Sequence, residues 1–463
     1  MVAGIMLGML VIAFFGIPAI VHAGDPNGAD TLKADPDAAV NMAWTLVTGF
    51  LVFLMQLGFA FLGAGLLRAR NTVNYFTKSY MDFCIGGLAY WAFGFGIMFG
   101  GSALWPGLAD GNKMFGYSGF FLSGDSYDVK TIMGWFFQMV FAATAATIVA
   151  GAVAERMKIT AYLAYSFIVT GIIYSVYGHW VWGGGWLATL KVGDMTGAKD
   201  FAGSGVVHTV GGLAALVGAW MVGPRLGKFN KDGSPNAIKG HNLPFVVIGT
   251  FILFFGWFGF NPGSTLAATD LRISVITVNT FLAGAAGAVV GLYYTFMKTG
   301  KADIITACNG SLAGLVAVTA PCAYIAPWAA VVIGGLAPFV MIGTATFVER
   351  TLKVDDAVGA VGVHAGGGLF GLLCVGIFAD GKYGGITGLI HGHTDQLVLQ
   401  LIDMGVVAGW TLGTAFLCFW LIKQTIGLRA SREEELSGLD VPEHGIEAYP
   451  ADKPIPALSG AAQ

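Results

Sequence analysis

The sequence predicts an all-α polytopic membrane protein, and three observations lead to this fold class. Hydrophobic residues make up 56% of the 463-residue chain and charged residues only 11%, whereas soluble proteins carry about 25% charged residues. The mean hydropathy is +0.71. Apolar stretches of about 20 residues, long enough to cross ~30 Å of hydrocarbon, recur along the chain. The 70 glycines fit helices that approach one another through small faces.

The first apolar run, residues 1–23, is interpreted as a cleavable signal peptide. It ends in Val21-His22-Ala23 and is followed by the polar stretch GDPNGADTLKADPD. No Lys or Arg precedes its apolar core, so an uncleaved additional helix is the alternative.

After this run the sequence predicts eleven transmembrane helices within a domain of residues 24–424, followed by a tail of residues 425–463. Each predicted helix is an apolar segment of the length that a bilayer requires. The helices are placed at residues 40–67, 76–103, 131–154, 159–181, 204–223, 243–265, 272–297, 303–320, 325–348, 358–378 and 397–424.

The distribution of Lys and Arg predicts the orientation of these helices. When the connecting segments are taken alternately, 17 of the 24 basic residues fall on one side and 7 on the other. Basic segments stay in the cytoplasm. The sequence therefore predicts a multi-pass protein of the cytoplasmic (inner) membrane, with the mature N-terminus outside and the C-terminus inside.

Two stretches of the chain repeat each other. DFAGSGVVHTVGGLAAL covers residues 200–216 and DAVGAVGVHAGGGLFGL covers residues 356–372. Aligned without a gap, each begins with Asp and carries a histidine eight residues later, His208 or His364. The copies belong to the fifth and tenth predicted helices and so run in opposite directions. This pattern predicts a 5+5 inverted repeat plus one extra helix, with both histidines near the bilayer midplane.

The paired histidines predict a functional site, because an ionisable side chain is costly inside a membrane. One alternative is that they only join helices through a hydrogen bond of ~1 kcal/mol. A second alternative is axial ligation of a haem or metal, although the glycine-rich surroundings offer no other ligand. The duplicated context favours two histidines that line one passage.

The remaining composition predicts no cofactor, metal or nucleic-acid partner. A formal net charge of −3 provides no basic surface for nucleic acid. The five cysteines are odd in number and lack metal-ligand spacing, so they are interpreted as small core residues. The sequence shows no motif for hydrolysis, phosphate binding or hydride transfer, and we therefore do not predict an enzyme.

Aromatic residues cluster at three predicted helix ends, in WFFQMVFAAT, HWVWGGGW and FFGWFGFNPGS. Aromatic faces attract desolvated cations, and Trp does so most strongly. An interfacial aromatic belt or ordinary core packing is the alternative. The candidate residues in these clusters are Phe136, Phe137, Phe141, Trp180, Trp182, Trp186, Trp257, Phe260 and Ser264.

Together these segments resemble the ammonium transporter (Amt/Rhesus) family, on its Amt side, as found in bacteria or archaea. The similarity covers residues 37–449 and includes GFAFLGAGLLRARN, GAVAERMK, VWGGGW, DFAGSGVVH, HNLPFVVIGT, GWFGFNPGS, VDDAVGAVGVHAGGG and GLDVPEHGIEAY. The resemblance implies the Amt/Rh fold, a homotrimer with one pore per subunit, and nitrogen uptake by conduction of ammonium, ammonia or methylammonium rather than catalysis.

The resemblance also implies roles for individual residues. The external cation-recruitment site would comprise Trp182, Phe141, Ser264 and, beside them, Phe137. The pore would be formed by Phe141, Phe260, His208, His364 and Trp257. The structural acids would be Asp200 and Asp356. The chain departs from the family pattern at Gly63 and Gly359, where an acid is usual.

The tail changes composition completely and is predicted to be cytoplasmic and regulatory. SREEELSGLDVPEHGIEAYP resembles the C-terminus of the family, which contacts neighbouring subunits and can dock PII-type signal proteins. A disordered, solvated tail is the alternative. The alternative function is an ammonium sensor with little transport, acting through a partner protein.

Overall fold

Apolar helices make up most of the computed structural model, which describes residues 24–450. Ten helices within this part of the chain are long and apolar enough to cross a membrane, and Ile304–Thr319 is a shorter apolar helix. In chain order they are α1 Ala38–Leu66, α2 Ala69–Phe99, α3 Val129–Val153, α4 Ile159–Thr189, α5 Ser204–Val222, α6 Leu243–Thr265, α7 Ile273–Thr299, α8 Ile304–Thr319, α9 Pro327–Thr351, α10 Val361–Phe378 and α11 Asp395–Thr425. The predicted signal peptide lies outside the described residues.

Short elements fill the connections between these helices. Strands β1 Lys191–Val192 and β2 Met195–Thr196 pair antiparallel between α4 and α5. The additional short helices are Ala29–Ala34, Phe120–Leu122, Gly124–Ser126, Leu389–His391, Arg432–Ser437 and Asp440–His444.

Each predicted span overlaps one of the eleven helices, and the largest difference is in α2. This helix occupies Ala69–Phe99 rather than residues 76–103. Lys78, one of the basic residues counted with the connecting segments in predicting the orientation, lies inside this helix and is fully buried. Its ammonium donates to Asn74 Oδ1 at 2.7 Å and to the carbonyl oxygen of Met157. These acceptors compensate for the free-energy cost of burying the ammonium inside an apolar helix.

The two repeated stretches have the same local structure. Both histidines lie in π-helical turns, Ser204–Thr209 at the start of α5 and Val361–Gly366 at the start of α10. Such wide turns are rare and occur frequently at functional sites. In each copy the preceding Asp accepts hydrogen bonds from backbone N–H groups at the start of the helix, which have no partner within the helix itself.

The helices α5 and α10 run in opposite directions, as the repeat predicts. Arg225 follows the end of α5, and Asp355 precedes the start of α10. The two side chains form a double hydrogen bond with N–O distances of 2.8 and 2.9 Å. The end of α5 therefore lies beside the beginning of α10. We call the end of the bundle that contains Arg225 and Asp355 the inner end, and the end that contains Trp182 and Asp200 the outer end.

Buried charges at the inner end form a compensated network. Arg225 binds Glu155 at 3.2 Å in addition to Asp355, and Arg68 binds Glu155 at 2.7 Å. Burial by itself opposes ionisation of Asp355, but hydrogen bonds from Arg225 and the charges of Arg156 and Arg225 lower its pKa to about 2. Both carboxylates are thus held ionised between the ends of several helices.

Arg225→Met is expected to destabilise this end of the protein. The change leaves the buried carboxylate of Asp355 without its bidentate partner, and breaking a buried ion pair costs about 3–5 kcal/mol. The thermal midpoint in detergent should fall at neutral pH, whereas Arg432→Met, at an exposed position of the tail, should leave it unchanged. Equal midpoints for both variants would contradict this role of Arg225.

The described part of the tail is folded against the inner end. Asp440 accepts a hydrogen bond from the backbone of Asn74 at 2.8 Å, and Glu443 accepts one from the backbone of Ile159 at 3.0 Å. Ser431 caps the helix Arg432–Ser437 with a complete capping box. Residues 431–449 are therefore ordered by specific contacts with α2 and α4, in contrast to a solvated tail.

Candidate functional site

A column of aromatic rings begins beneath Trp182 at the outer end. The Trp182 indole N–H donates to the backbone oxygen of Asp200 at 2.7 Å, which fixes the ring. Phe141 stands nearly perpendicular to it, at 79° and 6.3 Å between ring centroids. The ring of Phe141 then contacts Phe260 at 4.1 Å and Phe137 at 4.8 Å. The rings of α3, α4 and α6 thus meet in one layer that closes the outer end.

The two histidines follow directly below this layer. The ring of His208 is stacked on Phe260 at 5.4 Å and on Trp257 at 5.3 Å. Nδ1 of His208 lies 3.2 Å from Nδ1 of His364. Their relative exposures are 0% and 5%. The histidines that the repeat pairs in sequence are therefore paired in space as well.

The contact between the histidines has a defined hydrogen-bonding consequence. A neutral imidazole donates from one nitrogen and accepts at the other. Two N–H groups cannot point at each other over 3.2 Å, so one Nδ1 donates and the other accepts. The Nε2 atom of His208 has no hydrogen-bond partner among the described residues. The pair can therefore receive a proton at one end and pass another across the Nδ1 contact.

A cavity continues from His364 towards the inner end. Its lining includes Phe59, Tyr75, Thr147 and Asn309. Phe59 approaches the ring of His364 to 6.0 Å between centroids. The two imidazoles therefore separate an outer aromatic layer from an inner cavity with polar side chains.

Both glycines that depart from the family pattern line this inner cavity. The hydroxyl and ring of Tyr75 occupy the space in which a Cβ of Gly63 would lie. Gly359 has φ +82°, a backbone conformation that favours glycine. Tyr75 thus fills the volume that an acidic side chain at position 63 would need.

The other predicted site residues are placed as follows. Ser264 lies in the turn Pro262–Thr265, and its hydroxyl donates to the carbonyl oxygen of Phe260 at 2.8 Å. The neighbouring Gly263 packs against Phe137. Asp200 lies behind Trp182 at the outer end. Asp356 lies at the inner end, away from the aromatic layer.

The two acids differ in how completely they are bonded. The carboxylate of Asp200 accepts four backbone N–H groups at 2.8–2.9 Å, from Gly203, Ser204, Gly205 and Val206. Asp356 accepts from Gly359 at 3.1 Å and from Val361 at 2.7 Å. Asp200 therefore has no free lone pair directed at the passage, and its contacts are those of a residue that builds the start of α5.

Sequence reasoning missed several residues of the passage. Thr319, at the end of α8, accepts the indole N–H of Trp257 at 2.9 Å and thereby orients this ring against His208. Phe59 and Tyr75 were not singled out either. Each is an ordinary residue of an apolar helix. Only the packing of neighbouring helices shows which face of that helix borders the passage.

The geometry does not fit the haem alternative. A macrocycle would have to lie between the two imidazoles, but these are in direct contact and Phe260 and Trp257 cover His208. Within residues 24–450, no group of three or more His, Cys, Asp or Glu residues could hold a metal ion.

The succession of aromatic rings, paired histidines and inner cavity lies within a segment that matches a known family. Residues 43–449 match the sequence model of the Ammonium Transporter Family. The chain belongs to this family.

Individual relatives of this family are similar over almost the whole chain. The "Ammonium transporter Amt2" of Archaeoglobus fulgidus is 51% identical over 458 residues, which is 96% of each protein. The "Ammonium transporter Amt1" of Haloferax mediterranei is 39% identical and covers 90% of this chain and 81% of its own length. These relatives are named as transporters rather than as enzymes.

Solved structures of the family have the same fold. A "Sensor Amt Protein" superposes with a TM-score of 0.78 and 37% identity, covering 88% of this chain and 98% of its own. Mep2 of Candida albicans superposes with a TM-score of 0.76 and 28% identity, covering 86% of this chain and 87% of its own. The helical bundle described above is therefore the fold of this transporter family.

Proposed function

We propose that the protein transports ammonium and methylammonium across the cytoplasmic membrane by recruiting the cation, removing one proton and conducting the neutral amine. The observation that carries this proposal is the continuous succession from Trp182 to the His208–His364 contact of 3.2 Å. Aromatic faces suit a desolvated cation, whereas paired neutral imidazoles suit the transfer of a proton.

The energetics favour deprotonation over passage of the intact cation. Carrying a charge to the centre of a bilayer costs on the order of 10 kcal/mol, with lower values where water follows it. Removing a proton at pH 7 costs 1.36 kcal/mol per pKa unit, or about 4–5 kcal/mol for an amine of pKa ~10.4. Deprotonation also excludes potassium, which has no proton to lose.

The outer site recruits the cation through its aromatic faces. Trp182 and Phe141 present a face and an edge at 79° to each other, and Trp has the most attractive face for a cation. Phe137 and Ser264 complete the site. The hydroxyl of Ser264 donates to a backbone oxygen, so its lone pairs stay available to an N–H of the substrate.

Trp182→Leu is expected to weaken recruitment. Loss of the aromatic face removes about 0.5–2 kcal/mol of cation–π attraction, which raises the apparent KM for ammonium about 2- to 30-fold. The concentration dependence of ammonium-induced current in proteoliposomes measures this change. Trp220→Leu is the matched control, because Trp220 is 58% exposed on the outside of the bundle. An unchanged KM in Trp182→Leu would contradict recruitment at this site.

The stacked rings of Phe141 and Phe260 and the His208–His364 pair then separate the proton from the amine. The Phe141 and Phe260 rings, 4.1 Å apart, exclude hydrated ions from the space above His208. The substrate gives a proton to the pair, and the neutral amine moves past the imidazoles into the inner cavity. The proton crosses the Nδ1 contact and follows by its own route, so that each ammonium carries one charge across the membrane.

The assembly that fits this function is a homotrimer of eleven-helix subunits with one pore each. The shorter helix α8 would also cross the membrane and complete the eleven spans. Helices α1–α5 would be related to α6–α10 by an inverted repeat, with α11 as the extra helix. The antiparallel course of α5 and α10 and their matching π-helical turns support this relation. The excess of Lys and Arg at the inner end supports a cytoplasmic inner end.

A sensor that conducts little ammonium is the second candidate, since a "Sensor Amt Protein" has the same fold. In a sensor, the C-terminal tail would transmit the binding of ammonium to a partner protein. Its residues 431–449 contact α2 and α4 directly, so that a movement at the inner end would alter a surface on which a PII-type protein or a neighbouring subunit docks. The same contacts suit a transporter that its tail regulates.

Uptake of labelled methylammonium by cells without their own ammonium transport distinguishes the two candidates. A transporter is expected to accumulate label above the level of vector-only cells, and excess ammonium should compete. Binding of ammonium by the purified protein, combined with uptake no greater than in the vector control, would instead identify the sensor.

A further inference from the structure

A second group of buried polar side chains lies beside the inner half of the passage. Asp82 of α2 is fully buried, and its Oδ2 accepts the hydroxyl of Tyr162 at 2.8 Å. Its other oxygen, together with the hydroxyls of Ser79 and Thr147 and the amide of Gln56, has no hydrogen-bond partner among residues 24–450. All these side chains are at most 5% exposed. We call these five residues the Asp82 cluster.

The members of the cluster come from adjoining faces of neighbouring helices. Ser79 and Asp82 lie one turn apart on α2, and Thr147 of α3 faces the Asp82 carboxyl. On α1, ring contacts of Phe53 with Phe83 at 5.1 Å and of Phe61 with Phe76 at 5.6 Å fix the antiparallel register of α1 and α2. Gln56 lies between these two contacts. Buried polar groups without a protein partner are sites for bound water.

The cluster adjoins the inner cavity. Thr147 lines the cavity together with His364 and also faces Asp82. Tyr75, one turn before Ser79, lines it too. Thr147 therefore lies between the Asp82 carboxyl and the space that receives the amine after the histidine pair.

Asp82 has no cationic partner. No Lys or Arg in the described part of the chain forms an ion pair with it, and Lys78, one turn away, is directed to Asn74 and Met157. Burial of an unpaired carboxylate costs free energy, which favours the protonated carboxylic acid at this position. The hydroxyl of Tyr162 donates to Oδ2 of Asp82, and the unbonded hydroxyl of Thr147 faces the carboxyl, where a rotation about its C–O bond would let it donate to a transient carboxylate.

We propose that Asp82 is the inner proton-transfer residue of this transporter. The inference rests on the proposed deprotonation. The neutral amine in the inner cavity takes a proton from the Thr147 hydroxyl, and Thr147 in turn takes the proton of the Asp82 acid. In sum, an N–H bond forms on the amine and the O–H bond of Asp82 breaks. The carboxylate then recovers the proton that the substrate left on the histidine pair. The cycle consumes no proton, and the substrate leaves as the cation.

Asp82→Asn tests this inference, because the amide keeps the shape of the side chain and the bond from Tyr162 but has no acidic proton. Parallel measurements of current and labelled methylammonium uptake in proteoliposomes give the charge moved per substrate. We expect this ratio in Asp82→Asn to fall about tenfold or more, as for loss of a positioned proton-transfer group. A purely structural role for Asp82 would lower current and uptake together and leave the ratio unchanged.

Asp403→Asn is the matched control. Asp403 of α11 is equally buried, accepts a hydroxyl from Tyr177 at 2.7 Å and has one oxygen without a partner among the described residues. Neither Asp403 nor its partner Tyr177 lines the inner cavity, whereas Thr147, which faces Asp82, does. Its substitution should leave the charge per substrate within about twofold of the wild-type value, a margin far below the effect of a proton-transfer group.

The outcomes separate this inference from the proposed function. A wild-type ratio in Asp82→Asn, or an equal fall in Asp403→Asn, contradicts the inference alone. Wild-type protein that moves methylammonium without charge contradicts the proposed deprotonation and the inference with it. If Asp82→Asn does not reach the membrane, Thr147→Val, which removes the intervening hydroxyl and keeps the shape, is judged by the same ratio.

Discussion

His208→Ala is expected to abolish the selectivity of the protein for ammonium. The variant loses the imidazole beneath the aromatic layer and with it the Nδ1 contact to His364. The ammonium-specific current should fall about 100-fold, as for loss of a positioned proton-transfer group. The space vacated between Phe260 and His364 admits water, and a hydrated pore carries potassium. Currents in proteoliposomes with ammonium or potassium as the only permeant cation measure both changes.

The control for this prediction is His391→Ala. His391 lies in the short helix Leu389–His391 on an exposed connection, and none of its contacts reaches the passage. It should retain the wild-type ammonium current and show no potassium current. If His208→Ala stays selective for ammonium, proton transfer through the pair is not the source of selectivity.

Asp200→Asn is expected to cause the largest loss of stability. The amide replaces one carboxylate oxygen with a donor that faces two backbone N–H groups, and hydrogen bonds to charged groups contribute about 1.5–3 kcal/mol each. The loss of two such bonds therefore costs about 3–6 kcal/mol. The thermal midpoint in detergent should fall by about 3–6 °C.

The other acid of the repeat provides the comparison. Asp356 accepts one N–H group on each oxygen rather than two. Asp356→Asn should therefore lose only one bond and about half as much stability. The two variants would have equal midpoints if the four N–H contacts of Asp200 contributed nothing beyond a single helix cap.

The paired histidines could be predicted from the sequence because the repeat places them in equivalent positions of two helices. An Asp eight residues before each histidine marks the start of the helix, where backbone N–H groups without a partner in the helix can bond its carboxylate. The roles of the aromatic residues of the outer layer were predicted from the resemblance to the family, supported by the three glycines that follow Trp182 and the Asn-Pro-Gly-Ser sequence that follows Phe260.

The inner half of the passage could not be predicted in the same way. Hydropathy shows that α2 spans a membrane but not which of its faces meets α1, α3 or the passage. Asp82 follows Lys78 and Ser79 near the start of the predicted span, and nothing in the sequence indicates that its carboxyl adjoins the passage. The space of the family acid at Gly63 is taken by Tyr75, a residue from the next helix, and only the packing of α1 on α2 reveals this exchange.

The π-helical turns are a further feature that sequence periodicity does not indicate. Each adds a residue to one helical turn, and both His208 and His364, whose Nδ1 atoms are in contact, lie in such a turn. The glycines around both histidines permit these turns, yet glycines are common throughout the chain and do not mark them.

The central claim is that the protein selects its substrate by taking a proton from it. The most direct test compares the currents that wild-type protein carries when ammonium or potassium is present at equal concentration. Ammonium should produce a sustained current and potassium should produce none, although the two cations have similar size. A potassium current comparable to the ammonium current would show that intact cations cross, and would contradict the account.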